Sequence, residues 1–131
     1  MTARLVYECD FHAAHHLEGY EGDCARLHGH TYRLEVEVEG CVDKQTGMVV
    51  DFKAIKHLVQ KVVAPLDHHN LDTVDALGGC TTAENIAGVI AVQAAERLAL
   101  LGRDDLRLTR VRLWETQACS VVLTFEGRAS R

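Results

Sequence analysis

Residues 34–39 read Leu-Glu-Val-Glu-Val-Glu, which is the clearest secondary-structure signal in the sequence. Leu34, Val36 and Val38 share one face of the predicted strand, because side chains alternate along a strand with a period of two. The three glutamates between and after them share the other face. One apolar face and one charged face indicate an antiparallel sheet that is exposed to water on one side.

Further elements are predicted on both sides of this strand. We expect an earlier strand, a short extended segment, two helices and two late strands, over residues 5–15, 48–50, 52–64, 82–101, 106–116 and 119–125. The order strand, strand, helix, helix, strand, strand predicts an α+β fold with the helices packed on one face of an antiparallel or mixed sheet.

Capping residues support the two predicted helices. Asp51 can cap the first helix, and Pro65 can end it. Its apolar side chains recur at helical spacing: Phe52, Ile55, Val59 and Val62. Thr81 and Glu84 have the spacing of a capping box at the start of the second helix, and Gly102 is a natural stop.

Composition points to one globular domain over residues 1–131, with 47% hydrophobic and 25% charged residues. The net charge of −5 and the lack of clustered Lys and Arg argue against nucleic acid as a partner. No apolar run is long enough to cross a membrane, and no signal peptide is recognisable, so we expect a cytoplasmic protein. Five cysteines, an odd number, are more consistent with thiol chemistry than with disulfides.

A metal site is predicted around His28-Gly29-His30 at the start of the second strand. Two histidines at i and i+2 project from one face, and His15 can join them if the two strands are neighbours. Three imidazoles and an open fourth position are typical of catalytic zinc. Cys24 can then act either as a fourth ligand, which would make the zinc structural, or as a free thiolate that serves as base or nucleophile.

Two other segments are weaker candidates. Asp67 and His68 could form an orienting carboxylate and a proton-transferring imidazole, or simply belong to a turn. Glu115 could accept two parallel hydrogen bonds from an amidine-like edge, or face the solvent as an ordinary strand residue.

The ordered set of motifs resembles the 6-pyruvoyl tetrahydropterin synthase family over nearly the whole chain. The matching segments are Phe11-His12-Ala13-Ala14-His15, Cys24-Ala25-Arg26-Leu27-His28-Gly29-His30, Gly47-Met48-Val49-Val50-Asp51-Phe52, Leu66-Asp67-His68-His69, Thr82-Ala83-Glu84-Asn85 and Glu115-Thr116. The sequence departs from the family pattern at His12, where a small or acidic residue is more usual, and at Thr81, where a proline is usual.

The resemblance implies a set of residue roles. It implies a zinc ion held by three ligands, His15, His28 and His30. Cys24 would be the catalytic base, and Asp67 and His68 would complete the catalytic group from a neighbouring subunit. Glu115, with Thr116 beside it, would bind the pterin ring.

The resemblance also implies an architecture and an activity. The expected tunnelling fold has a four-stranded antiparallel sheet with two helices between its second and third strands, and its subunits form a homo-oligomer, commonly a dimer of trimers. Three residues separate Cys24 from His28, as in the 6-carboxytetrahydropterin synthase branch, which uses 7,8-dihydroneopterin triphosphate in queuosine synthesis. The gap is longer in the pyruvoyl-forming branch, and a glutamate replaces the cysteine in a branch that cleaves dihydroneopterin. A pyruvoyl-forming synthase and, from another class, a non-catalytic zinc-binding module are the competing functions.

Overall fold

The computed structural model describes residues 1–126. Its strands and helices are, in order, β1 Thr2–His15, β2 His28–Cys41, α1 Phe52–Val63, β3 His69–Asn70, α2 Ala83–Ala99, β4 Arg107–Trp114 and β5 Ser120–Thr124. The predicted α+β order, with both helices between the second and the later long strands, is confirmed. No helix in the described part of the chain is long and apolar enough to cross a membrane.

The sheet has five strands in the order β3-β1-β2-β4-β5. The four long strands pair antiparallel, as predicted, but the two-residue β3 runs parallel to β1, so the sheet is mixed. This extra strand lies in a segment predicted as loop. The chain returns from α1 along the free edge of β1, where the His68 N–H donates to the His12 carbonyl at 2.5 Å.

The second strand is longer than its alternating residues 34–39. It begins at His28, so the His-Gly-His motif does open it, and its first residue pairs with His15 at the end of β1. The predicted extended segment at residues 48–50 is wrong. The Asp43 N–H donates to the Met48 carbonyl at 2.9 Å, which closes a turn, and Val49 is buried beside β2.

The start of α1 agrees with the sequence, except at one side chain. Asp51 caps the helix by accepting a hydrogen bond from the Lys53 N–H at 2.8 Å. Phe52 was predicted on the buried face, but it is 58% exposed because the packed face begins one turn later. The buried residues of α1 are Ile55, Leu58, Val59, Val62 and Val63.

The cap of α2 differs from the predicted capping box. Thr82, not Thr81, accepts the N-terminal hydrogen bond, and its donor is the Asn85 N–H at 3.2 Å rather than Glu84. Thr81 is buried, and its hydroxyl is used elsewhere. Gly102 follows the helix with φ of 74°, a left-handed conformation that suits glycine and confirms the predicted stop.

Both helices pack on the same face of the sheet, which we name the inner face. Its central side chains are fully buried: Phe11, Tyr32, Leu34, Val36, Val111 and Leu113. The opposite, outer face carries the predicted charges, and they are paired across strands. Arg4 bonds Glu39 at 2.9 Å, and Arg33 bonds Asp10 at the same distance. The alternation of residues 34–39 therefore separates a dry face from a charged face.

Gly40 in β2 lies where neighbouring loops pack closely against the sheet. A Cβ atom there would lie 2.6 Å from Val49 Cγ1 and 2.7 Å from Leu106 Cδ2. We expect Gly40→Ala to lower the free energy of unfolding by about 1–3 kcal/mol, because the added methyl group overpacks the core. Urea unfolding measures the change. The control is Gly88→Ala in α2, where a Cβ meets nothing within 4 Å and alanine should stabilise the helix.

Candidate metal centre and active site

Pairing of β1 with β2 brings three histidines together on the inner face. His15 lies opposite His28, and His30 lies opposite Ala13, so all three imidazoles leave the sheet on the same side. One potential ligand atom from each residue lies within 4.8 Å of the others. The ring centroids are 4.6 to 5.1 Å apart. We name His15, His28 and His30 the histidine triad.

Backbone carbonyls set the tautomers of two triad members. His15 Nδ1 is 2.8 Å from the Thr81 carbonyl oxygen, and His28 Nδ1 is 2.7 Å from the Arg26 carbonyl oxygen. A carbonyl can only accept a hydrogen bond, so each Nδ1 carries a proton, and in a neutral ring Nε2 is then the nitrogen with the free lone pair. Imidazoles that bind metals have this arrangement.

The Nε2 atoms of two triad members also fit a divalent metal. His15 Nε2 and His30 Nε2 are buried and lack a hydrogen-bond partner among residues 1–126. Burial lowers the pKa of His30, with Glu115 opposing that effect, so the neutral ring that a metal needs is favoured. Buried acceptors without partners are costly, and a bound cation would satisfy them.

His12 is close to the triad in sequence but lies on the outer face. It is three residues before His15, so its side chain leaves the strand on the opposite side. Its Nδ1 is 3.1 Å from the Thr31 hydroxyl, and its ring centroid is 5.4 Å from that of His68. This departure from the family pattern therefore adds no fourth imidazole to the triad.

Cys24 lies near the start of β2, outside the group of potential ligand atoms. It is half-buried in a short 3-10 turn, Asp23–Ala25, and its carbonyl accepts a hydrogen bond from the Leu17 N–H at 2.7 Å. Among the described residues, the three imidazoles gather without a thiol. The geometry thus gives no support to a structural site in which Cys24 is the fourth ligand.

Asp67 and His68 interact with one another, in agreement with the pairing that the sequence suggests. Asp67 Oδ1 is 3.0 Å from His68 Nδ1 and accepts a hydrogen bond from the His12 N–H at 2.9 Å. That N–H, followed by His68, lowers the pKa of Asp67 and keeps it a carboxylate. His68 is 74% exposed and faces the outer-face cavity it shares with His12 and Thr31. The triad is on the other side of the sheet.

Glu115 lies beside the triad, at the end of β4. Its Oε2 is 3.8 Å from His15 Nε2, and its side chain is 28% exposed. Thr116 is the next residue in the turn between β4 and β5. Its hydroxyl oxygen accepts hydrogen bonds from the N–H groups of Ala118 and Cys119, at 3.3 and 3.1 Å. Thr116 thereby shapes the turn that holds Glu115.

A family model described as 6-pyruvoyl tetrahydropterin synthase matches residues 4–126. The chain belongs to this family. The structure of 6-pyruvoyl tetrahydropterin synthase from Caenorhabditis elegans is similar to it, with a TM-score of 0.83, 26% identity and coverage of 96% and 97% of the two chains. This likeness confirms the tunnelling fold, although the family's four long strands are joined here by the two-residue β3.

Relatives of this tetrahydropterin synthase family member bear more than one activity name. It is 41% identical to the dihydroneopterin monophosphate aldolase of Pyrococcus furiosus, over 94% of this chain and 98% of the relative. It is 35% identical to the 6-carboxy-5,6,7,8-tetrahydropterin synthase of Haemophilus influenzae, over 86% of this chain and 92% of the relative. It is 42% identical to the protein of the same name from Synechocystis, over 70% of this chain and 75% of the relative. The chain is therefore an enzyme, a lyase similar to the 6-carboxytetrahydropterin synthases.

Tyr32 is a neighbour of the triad that sequence reasoning missed. It continues the i, i+2 spacing of His28 and His30, and this spacing is the signal that could have found it. Its ring centroid is 5.4 Å from that of His30, and its buried hydroxyl lacks a hydrogen-bond partner in the described chain. Burial, followed by the charge of Glu115, raises the pKa of Tyr32. The phenol stays protonated, and its ring packs beside those of His30 and His15.

Proposed function

We propose that this family member is a zinc-dependent lyase that converts 7,8-dihydroneopterin triphosphate and one water molecule to 6-carboxy-5,6,7,8-tetrahydropterin, acetaldehyde and triphosphate. The observation that carries the proposal is the histidine triad, which brings one potential ligand nitrogen from each of three imidazoles together while Cys24 stays outside the group. Backbone carbonyls hold Nδ1 of His15 and of His28. The relatives named 6-carboxytetrahydropterin synthase support this product. The proposed setting is queuosine synthesis in the cytoplasm.

The triad would hold Zn²⁺ through neutral imidazole nitrogens, with an open fourth position for substrate. Zinc bound by the triad would act as a Lewis acid toward the oxygens of the pterin side chain. Glu115, 3.8 Å from His15 Nε2, would add a fixed negative charge at the edge of this site.

The chain's own residues would move the protons. Cys24, as a thiolate, would take a proton from the substrate carbon that lies next to a side-chain oxygen. Asp67 holds the His68 ring through Nδ1, at 3.0 Å, which leaves Nε2 free to exchange protons with the substrate. The carboxylate of Asp67 would also stabilise the imidazolium that forms during transfer.

We also propose that Asp67 and His68 act in the site of a neighbouring subunit of a homo-oligomer, with a dimer of trimers as the proposed assembly. Within one chain the pair faces the outer side of the sheet, with His12, whereas the triad lies on the inner side. A side chain at a sheet surface cannot cross the sheet, so one subunit alone does not assemble the whole catalytic group.

Mixing two inactive variants tests the shared site. Cys24→Ala and His68→Ala should each be nearly inactive, and their co-assembled mixture should recover a substantial part of wild-type turnover. Recovery is expected because some sites in a mixed oligomer receive an intact Cys24 from one subunit and an intact His68 from another. Turnover is measured after mild dissociation and reassociation.

The control for this experiment mixes Cys24→Ala with the double variant that carries both Cys24→Ala and His68→Ala. No site in that mixture contains an intact Cys24, so it should stay inactive. If the first mixture also stays inactive while its size distribution shows mixed oligomers, the sharing of sites is wrong.

Glu115 and Thr116 are proposed to bind the pterin, with Glu115 pairing with its amino and ring N–H edge and Thr116 beside it. We expect Glu115→Gln to weaken pterin binding by roughly 10- to 100-fold, because an amide offers one acceptor where the carboxylate offers two charged ones. Zinc content should be unchanged. Fluorescence titration with a non-reactive pterin measures the affinity, and Glu96→Gln on the exposed side of α2 is the control. Equal pterin affinity in Glu115→Gln would contradict the role.

A second candidate function is cleavage of dihydroneopterin monophosphate. The 41% identity to an aldolase of that name favours it. The pyruvoyl-forming reaction and the non-catalytic zinc module compete with both. Each of these four functions predicts its own product pattern.

Product analysis separates these candidates. Zinc-loaded protein is incubated with the triphosphate and, separately, with the monophosphate of dihydroneopterin, and the products are identified by mass. Carboxytetrahydropterin with acetaldehyde supports the proposal. Pyruvoyl tetrahydropterin without acetaldehyde identifies the pyruvoyl-forming reaction. Hydroxymethyl dihydropterin from the monophosphate identifies the aldolase. If neither substrate gives a product, the result supports the non-catalytic zinc-binding module.

A further inference from the structure

Thr81 lies directly behind the triad and makes two kinds of contact with the chain around His15. It is 2% exposed, and its carbonyl oxygen accepts the hydrogen bond from His15 Nδ1 at 2.8 Å. Its hydroxyl lies 3.1 Å from the His16 carbonyl oxygen and 3.2 Å from Asp72 Oδ1. The hydroxyl is free for these contacts because Thr82, the next residue, caps α2.

Asp72 joins the same network from the short 3-10 turn Leu71–Thr73. Its Oδ2 accepts hydrogen bonds from the backbone N–H of His16 at 3.1 Å and from His16 Nδ1 at 2.5 Å. The Asp72 N–H donates to Asn70 Oδ1 at 3.0 Å, which fixes the carboxylate in turn. Asp72 thus bonds the residue that follows His15 and the residue whose carbonyl orients His15.

These contacts form a closed loop around the base of His15. Thr81 contacts His16, His16 contacts Asp72, and Asp72 contacts Thr81. Because the backbone of His16 and that of Thr81 are held on both sides of the imidazole, the ring plane and the proton on Nδ1 are both determined. Thr81 lies outside the helices and strands, since α2 begins at Ala83. Because regular backbone pairing does not hold residue 81, its side chain supplies this restraint.

We propose that Thr81 and Asp72 are positioning residues for His15, so that metal binding depends on a hydroxyl and a carboxylate that do not touch the ion. The inference rests on the proposed metal site, and it identifies the groups behind one of its ligands. Partners of metal-bound imidazoles typically change metal affinity by roughly 10- to 100-fold when they are removed.

Thr81→Val is the sharpest test, because it removes the hydroxyl while keeping the side-chain volume and the backbone carbonyl. We expect the zinc affinity of Thr81→Val to fall roughly 10- to 100-fold, and that of Thr81→Ser to stay near wild type. Asp72→Asn should also lower the affinity. Competition with a chromophoric chelator measures zinc affinity, and the visible spectrum of the cobalt-loaded protein reports the geometry around the metal. Thr124→Val on exposed β5 is the control.

Unfolding of the metal-free proteins separates positioning from general stability. The inference is supported if Thr81→Val binds zinc more weakly, or shifts the cobalt spectrum, by more than its apo-stability change accounts for. It is overturned if Thr81→Val matches wild type in affinity and spectrum, or if lost stability accounts for the whole change. Should Thr81→Val fail to fold, the Asp72→Asn result decides by the same criteria. If the wild-type protein itself binds no zinc or cobalt, the proposed function fails instead, which distinguishes the two failures.

Discussion

Cys24→Ala is expected to lower turnover roughly 1,000-fold while the protein keeps its full zinc content. Proton transfer by a positioned side chain contributes about 10²- to 10⁴-fold to rates, and alanine cannot accept a proton. Zinc should remain because the triad gathers without the thiol. Steady-state product formation and metal analysis of the same sample measure the two quantities together.

The matched control for this substitution is Cys119→Ala. Cys119 is exposed at the end of the β4–β5 turn, so its replacement should change neither turnover nor zinc content. Loss of zinc from Cys24→Ala, rather than loss of turnover alone, would make the thiol a ligand and the site structural. Full turnover with zinc present would remove Cys24 from the mechanism.

His30→Ala should lose bound zinc and turnover together, each by several orders of magnitude. Removal of one imidazole from a site with three protein ligands leaves two, which is too few for tight binding of zinc. His30 Nε2 is buried without a hydrogen-bond partner in the described chain, so a bound metal is the interaction that would offset its burial. Equilibrium dialysis against buffered zinc, followed by the product assay, measures both losses.

Two other histidines give this experiment its controls. His12→Ala removes an imidazole that is three residues from His15 but lies on the outer face, so zinc should remain bound. His57→Ala removes an exposed ring on α1, and both zinc and turnover should remain at wild-type levels. Zinc binding by His30→Ala equal to that of wild type would show that the triad is not the metal site.

Local patterns in the sequence were sufficient for the elements and for part of the site. The alternation of residues 34–39 predicted a strand with one dry and one charged face, and Asp51 predicted the start of α1. The spacing of His28 and His30 placed two imidazoles on one face of a strand. These features depend on neighbours within a few positions, which is why periodicity and capping rules find them.

Features that depend on contacts between distant segments were decided by the tertiary structure. The register that sets His15 opposite His28 joins residues in two different strands. His12 is only three residues from His15, but it lies on the opposite face of the sheet. The Asp67–His68 pair reached the outer face because residues 69–70 added a parallel strand to the edge of β1. No local pattern contains that pairing.

The residues behind the triad show the same division most clearly. Thr81 and Thr82 are adjacent and identical in type, and sequence spacing favoured Thr81 as the helix cap. The fold gives the cap to Thr82 and turns Thr81 toward His15, 66 positions earlier in the chain. Sequence alone thus determined which side chains could bind a metal. Packing of the segment before α2 against the end of β1 decided which nitrogen of His15 is free to do so, because a tautomer depends on the partner at the other end of the ring.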